Sequence, residues 1–216
     1  RTLSMIKHEG FEKPFLLDIF RVESDGKNQY DLPFYYMGQV LEVNFEYDTP
    51  TALSALGEAN GYQHLYLEGK GKAGAGNTKC SWMDNGGFYT LTSATGADDQ
   101  LLFTRLGAND PDFNLRRDPG FMIRRTETGG TTFASIVEAH GSYSPVTELA
   151  VNSRSNIAEL KIVHDDTDYT AVTVQALDGR ESVFIVSNSD ASESTQHSLE
   201  IGGKVMEWTG PYHYAE

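Results

Sequence analysis

The chain has 216 residues and sets 17 lysines and arginines against 31 aspartates and glutamates, a formal net charge of −14. That balance excludes nonspecific nucleic-acid binding, which needs basic surface, though a local basic site stays open because clefts focus fields. No apolar run reaches the roughly 18 residues of a membrane span, and a lone Cys80 excludes an internal disulfide. A chain of this length needs no such staple, since it buries about 70% of the surface its unfolded form exposes.

The chain opens with RTLSMIKHEG, without an initiator Met or a signal peptide, and so reads as a piece of a longer protein. The first predicted strand is FLLDIFRVES (15–24), followed by the turn signal SDGKN (24–28). The one fair helix candidate is TPTALSALGEANG (49–61), with Thr49 as cap, Pro50 at the first helical position and Gly57 as stop. Strands follow at GYQHLYLEGKG (61–71), GGFYTLTSAT (86–95) and DQLLFTRLG (99–107), with MDNGG (83–87) as a turn. Cys80, in the strand-like TKCSWMD, reads as a small packed hydrophobe. Strands are next predicted at TTFASIVEAHG (131–141), AELKIVHD (158–165), YTAVTVQAL (169–177) and ESVFIVSNSD (181–190). In YTAVTVQAL, Ala171, Thr173 and Gln175 alternate with Val172, Val174 and Ala176, which predicts one wet face and one dry one. TETGG (126–130) reads as a turn, while LDGR (177–180) and IGGK (201–204) read as hairpin turns. Many short strands separated by turns predict an all-β fold, a large antiparallel β-sandwich, with residues 1–216 as one domain.

No zinc-protease, paired-cysteine, phosphate-loop or nucleophile-elbow motif is present. The six histidines are scattered without ligand spacing. His64, alternating with Tyr62 and Tyr66, is expected on one face of a strand, either beneath those rings or along a groove. The arginine-rich GANDPDFNLRRDPGFMIRR (107–125) stands out in so acidic a chain. Arg116, Arg117, Arg124 and Arg125 follow Arg105, with Asp110, Asp112 and Asp118 interleaved. They are expected either to pair with those acids on a long loop or to grip a carboxylate or sulfate, which guanidinium binds bidentately. Asn109 and Asn114 add amide groups suited to sugars. A second polar segment, EAHGSYSPVTE (138–148), offers His140, Tyr143 and Glu148 as saccharide contacts, against the plainer reading of an ordinary loop. The expected substrate-binding set is therefore Arg116, Arg117, Asn109, His140, Tyr143 and Glu148.

KPFLLDIFRVESDGKNQYDLPFYYMGQ, NGYQHLYLEGKGK, LTSATGADDQLLFTRLGANDPDFNLRRDPGFMIRR, EAHGSYSPVTE and WTGPYHY together resemble the C-terminal part of alginate lyases of the heparinase II/III-like group, polysaccharide lyase family seventeen. The resemblance runs from Arg1 to Tyr214. It implies a β-sandwich that packs on an N-terminal helical toroid, here absent, in an enzyme cleaving alginate oligosaccharides by β-elimination to unsaturated uronates. The family's catalytic residues and its sandwich-side metal ligands lie in segments without counterpart in these residues. No catalytic residue, metal ligand or cofactor is therefore carried over, and a structural metal would belong upstream. The implied partners are an acidic oligosaccharide and the toroid, with room for a homodimer, in a periplasmic or secreted setting. A stand-alone carbohydrate-binding module, a ligand-free structural sandwich, and a lyase for sulfated glycosaminoglycan are the rival readings.

Overall fold

The computed structural model describes residues 1–107 and 117–216. Its strands in chain order are β1 (Thr2–Ile6), β2 (Phe15–Tyr35), β3 (Gln39–Val43), β4 (Tyr47–Asp48), β5 (Leu65–Lys72), β6 (Gly76–Asp84), β7 (Gly87–Thr95) and β8 (Gln100–Leu106). There follow β9 (Pro119–Ser144), β10 (Leu149–Val151), β11 (Ile157–Asp165), β12 (Tyr169–Ala176), β13 (Glu181–Ser187), β14 (Gln196–Ile201), β15 (Lys204–Thr209) and β16 (Tyr212–Ala215). They form a ten-stranded sheet, a four-stranded sheet in the order β11-β12-β13-β16, and the β14–β15 hairpin. All pairings are antiparallel, and the fold is an all-β sandwich.

β9 organises the large sheet. One of its edges carries β2 along nearly the full length, from Leu16↔Val137 to Tyr35↔Gly120. The other edge is divided between β8, against its first half, and β7, against its second. The predicted turns SDGKN and TETGG face each other in the middle of the β2–β9 ladder, across a bulge between Glu23 and Lys27. Neither ends a strand. Gly129 and Gly130 take φ of 85° and 116°, and a Cβ on Gly130 would stand 2.3 Å from the Val22 carbonyl oxygen. Turn residues paired across two strands act here as a bend, because each strand's free backbone groups are met by the other. The bend is deep: Phe121 and Val137, from opposite halves of β9, line one small apolar cavity with Cys80 and Trp82.

The curl and the second sheet create three cores. Inside the curl, Leu32, Cys80, Leu91, Leu101, Phe121 and Phe133 pack together; burial pushes the Cys80 thiol up to about 12, as expected of an inert packed cysteine. On the sheet's opposite face, Phe15, Leu17, Ile19 and Ile136 meet Leu160, Val172, Val174 and Phe184 of the four-stranded sheet. Each fully buried side chain of this kind contributes roughly 1.5–3 kcal/mol. Phe133 and Ala134 serve the two cores in turn, as strand alternation requires.

The third core corrects the wet-face expectation for β12. Thr173 and Gln175 are partly exposed, but Ala171 is fully buried. It lies beneath the β14–β15 hairpin with Val183, Ile185 and Trp208. The hairpin turns Asn85-Gly86 (φ 47° and 78°) and Gly202-Gly203 (φ 59° and 81°) fall where MDNGG and IGGK place them.

The helix expected at 49–61 is not formed. Leu56 donates to Leu65 and Leu67 to Ser54, so this segment covers the edge of β5 beyond the short β4 pairing. Two turns of isolated helix are marginal in water, and an open sheet edge offers backbone partners instead. Tyr62–His64 is a single 3-10 turn, so Tyr62, His64 and Tyr66 do not alternate along one strand as expected.

Candidate functional site

Because β9 is bent double, both of its ends emerge at one rim of the curled sheet. The Tyr36 amide donates to the Pro119 carbonyl at 3.3 Å. Gln39 pairs with Met83, Asp84 with Gly87 and Gly87 with Ser142, and the Tyr143 amide donates to the Gly86 carbonyl at 2.7 Å. Gly38 makes the closure possible: at φ 91°, a Cβ there would sit 2.0 Å from the Met83 carbonyl oxygen. The sequence signals at Arg117 and at Tyr143 therefore share a rim, although β9 runs for 26 residues from Pro119 to Ser144.

On this rim Tyr36, Gln39, Arg105, Arg117 and Pro119 line an open recess of about 500 Å³. Arg117 is exposed, and its carbonyl accepts from Arg105 Nη1 at 3.2 Å. The other guanidinium nitrogens of Arg105 hold Glu68 bidentately at 2.7 and 3.1 Å. That hydrogen-bonded pairing raises the Arg105 pKa further. Burial, reinforced by Cys80, pushes the Tyr36 phenol up to about 12, so it remains a hydrogen-bond donor throughout the neutral range. Tyr36 and Trp82 lie 5.8 Å apart, and Trp82 and Tyr89 stack at 5.5 Å, forming an aromatic row across β6 and β7. Sequence inspection missed this row, because only the Trp82↔Tyr89 register brings the rings together.

The remaining described arginines of the cluster serve the interior. Arg124 binds Asp31 bidentately at 2.8 Å through Nε and Nη2, and the Tyr62 hydroxyl donates to the same carboxylate at 2.6 Å. Burial and that hydrogen bond push the Tyr62 phenol up to about 12. Arg125 holds Asp99 at 2.9 and 2.7 Å and donates to the Thr132 carbonyl and the Thr131 hydroxyl. Its guanidinium lies 4.6 Å from the Phe133 ring centre, plugging the interval on β9 between the β8 and β7 pairings. Arg105, Arg124 and Arg125 thus take Glu68, Asp31 and Asp99 as partners, which are distant in sequence. Arg116 and Asn109, with Asp110, Asp112 and Asn114, lie outside the described residues.

The second predicted segment divides in the same way. His140 is 2% exposed. Its Nε2 hydrogen-bonds the Thr90 hydroxyl at 2.9 Å and its Nδ1 meets the Asn152 carbonyl at 2.7 Å, so the ring braces the wall and presents no surface to a sugar. Tyr143 is exposed on the rim, and Glu148 is exposed at the β9–β10 turn with φ of 54°. Among the described residues no three His, Cys, Asp or Glu side chains converge as a metal site would need, and no helix is long and apolar enough to cross a membrane.

No protein-family model matches the chain. Over 213 residues, 98% of this chain, it is 32% identical to an alginate lyase of Stenotrophomonas maltophilia. Over 215 residues, 97% of this chain, it is 31% identical to an exo-oligoalginate lyase of Saccharophagus degradans. The chain spans only 28% and 29% of the length of these relatives. Extended similarity of this kind, carried on an all-β sandwich, relates the chain to the C-terminal portion of alginate lyases.

Proposed function

We propose that this chain is the C-terminal sandwich of a polysaccharide lyase that cleaves alginate oligosaccharides by β-elimination, and that it completes the substrate cleft without supplying the reacting groups. The 216 residues act as one unit that supports an N-terminal helical toroid, in a periplasmic or secreted enzyme. The observation that carries the reading is the rim, where an exposed Arg117 shares a recess with Tyr36, the first ring of the Tyr36–Trp82–Tyr89 row that runs from there along the core of the curl. Elimination needs the substrate carboxylate neutralised, a base for the C5 proton and an acid for the leaving oxygen. Arg117 suits the carboxylate of a distal uronate, Tyr36 can donate to a ring hydroxyl, and aromatic faces suit pyranose rings. Tyr143 and Glu148 extend the rim, Arg116 and Asn109 belong to the same connection as Arg117, and His140 acts as a positioning residue behind Tyr143.

The test is calorimetric titration of the purified chain with defined alginate oligomers at low and moderate salt. Salt-sensitive binding, weakened by Arg117→Ala and by Trp82→Ala in folded protein, supports the reading. Binding of equal strength in both variants would remove the rim from it. Joining the chain to the N-terminal portion found in its relatives should yield unsaturated products absorbing in the ultraviolet, and no product from a folded fusion would overturn the lyase assignment. A stand-alone carbohydrate-binding module would instead bind without ever yielding product, and preference for sulfated oligomers would redirect the specificity.

A further inference from the structure

Among the described residues several lysines and Arg154 make no ion pair, and two of these cations, Lys79 and Arg154, are brought to one place by the fold. Both line one recess of about 290 Å³ at the seam between the two sheets, near the lower end of the roughly 300–1,000 Å³ of small-ligand sites. β3 and β6 supply one side of it, with Val43 and Lys79. The segment before β11 supplies Arg154 and Ser155, and Leu177 enters from the β12–β13 loop.

Lys79 is held there at a cost. Burial lowers its pKa, and the charge of Glu138 only partly opposes this. One of its three N–H groups donates to the Ile157 carbonyl at 2.5 Å. Glu138, 1% exposed, is not available as a direct partner. Its carboxylate accepts from the Ser155 hydroxyl at 2.5 Å and from the Asn156 amide and side chain at 3.1 and 3.2 Å. Two cations therefore face the recess with donors to spare, over an apolar lining of Val43 and Leu177. The lining also contains Glu42, an exposed acid. A carboxylate at the edge repels a bare dianion but accepts hydrogen bonds from hydroxyl groups.

We propose that this recess binds a sugar acid, with the ligand carboxylate on Lys79 and Arg154 and a ring hydroxyl on Glu42. The site is separate from the Arg117 rim and does not depend on it. Its test is titration of the purified chain with D-glucuronate, acetate and inorganic phosphate, followed by amide NMR. Glucuronate should give saturable shifts at Asn44, Lys79, Arg154 and Ser155. Affinity should fall about tenfold in Arg154→Gln and by at least as much in Lys79→Met, the size of one charge-assisted hydrogen bond. Arg154 is exposed, so its variant keeps the test open if Lys79→Met fails to fold. Glu42→Gln should weaken glucuronate while leaving acetate unchanged or tighter. Shifts confined to the Arg117 rim, or glucuronate affinity unchanged in Arg154→Gln, would overturn the proposal. Equal response to phosphate and glucuronate that ignores Glu42→Gln would overturn the sugar-acid assignment.

Discussion

The described arginines at 117–125 and the segment 138–148 lie at the two ends of β9, and the fold sorts their polar residues by what each faces. Side chains whose strand neighbours lie in the curl or at the seam turn inward and find acids or carbonyls there, as Arg125, Arg124 and His140 do. Arg117, which precedes the first β9 pairing, and Tyr143, which pairs with Ala150 at the strand's far end, stay exposed at the rim. The two ends differ in how the inward groups are satisfied. The first end uses complete guanidinium–carboxylate forks, whereas the second uses neutral hydrogen bonds and the buried carboxylate of Glu138. A dense run of charge in a sequence is thus a poor pointer to a ligand until the strand partners are known.

The largest effect is expected at Arg125. Its side chain and that of Asp99 are 13% and 4% exposed, so Arg125→Ala should cost about 3–5 kcal/mol by leaving a buried carboxylate unpaired. Urea unfolding measures this. A substantial recovery in Arg125→Leu/Asp99→Leu would show that the loss comes from the orphaned charge. Next in size is Glu138→Ala, expected to cost about 1–3 kcal/mol because the Asn156 amide and the Ser155 hydroxyl lose their acceptor. Hydrogen exchange should then rise at 153–157 before it rises in the curl.

Gly38→Ala tests the rim itself. Its positive φ and the 2.0 Å approach to the Met83 carbonyl should cost about 1–3 kcal/mol in strain, and oligomer binding at Arg117 should fall with it. Arg117→Ala alone should leave stability within about 0.5 kcal/mol, as thermal unfolding can check, while weakening alginate binding. The smallest effect is expected at Asp166 in the β11–β12 turn, which accepts from the Tyr169 and Asp168 amides and pairs with His164. Its pKa is lowered from an ordinary value of 3.8, chiefly by the Tyr169 amide. The stability it contributes is therefore present above that value and is lost as pH falls through its folded pKa. Asp166→Asn should flatten the acid limb of a stability–pH curve without moving the neutral plateau.

Much of the fold was legible in the residues. Five predicted strands match β7, β8, β11, β12 and β13 to within a few residues and a sixth begins where β2 begins, since local alternation and β-branched content report directly on a half-buried strand. The turn at 83–87 was legible because Asn-Gly suits the left-handed region that the hairpin needs. The continuity of β2 and β9 was not, because Gly and Asp at 24–28 and 126–130 signal a turn wherever their backbone partners are unknown. Of the candidate site, Arg117 and Tyr143 were named from sequence and do share the rim, whereas the burial of His140 was hidden in its contacts with Thr90 and Asn152.

By itself the sequence determined an acidic, antiparallel β-sandwich, its hairpin turns and its kinship with alginate lyases, since these depend on composition, two-residue periodicity and extended similarity. Tertiary structure alone decided which cations are spent internally and which face outward. Only the bend at Gly129–Gly130 brings Arg117 and Tyr143 to one rim, and only the seam between the sheets sets Lys79 beside Arg154. The physical reason is that a charged side chain takes its role from the nearest counter-charge in space, and for Arg105, Arg124 and Arg125 that neighbour is far away along the chain.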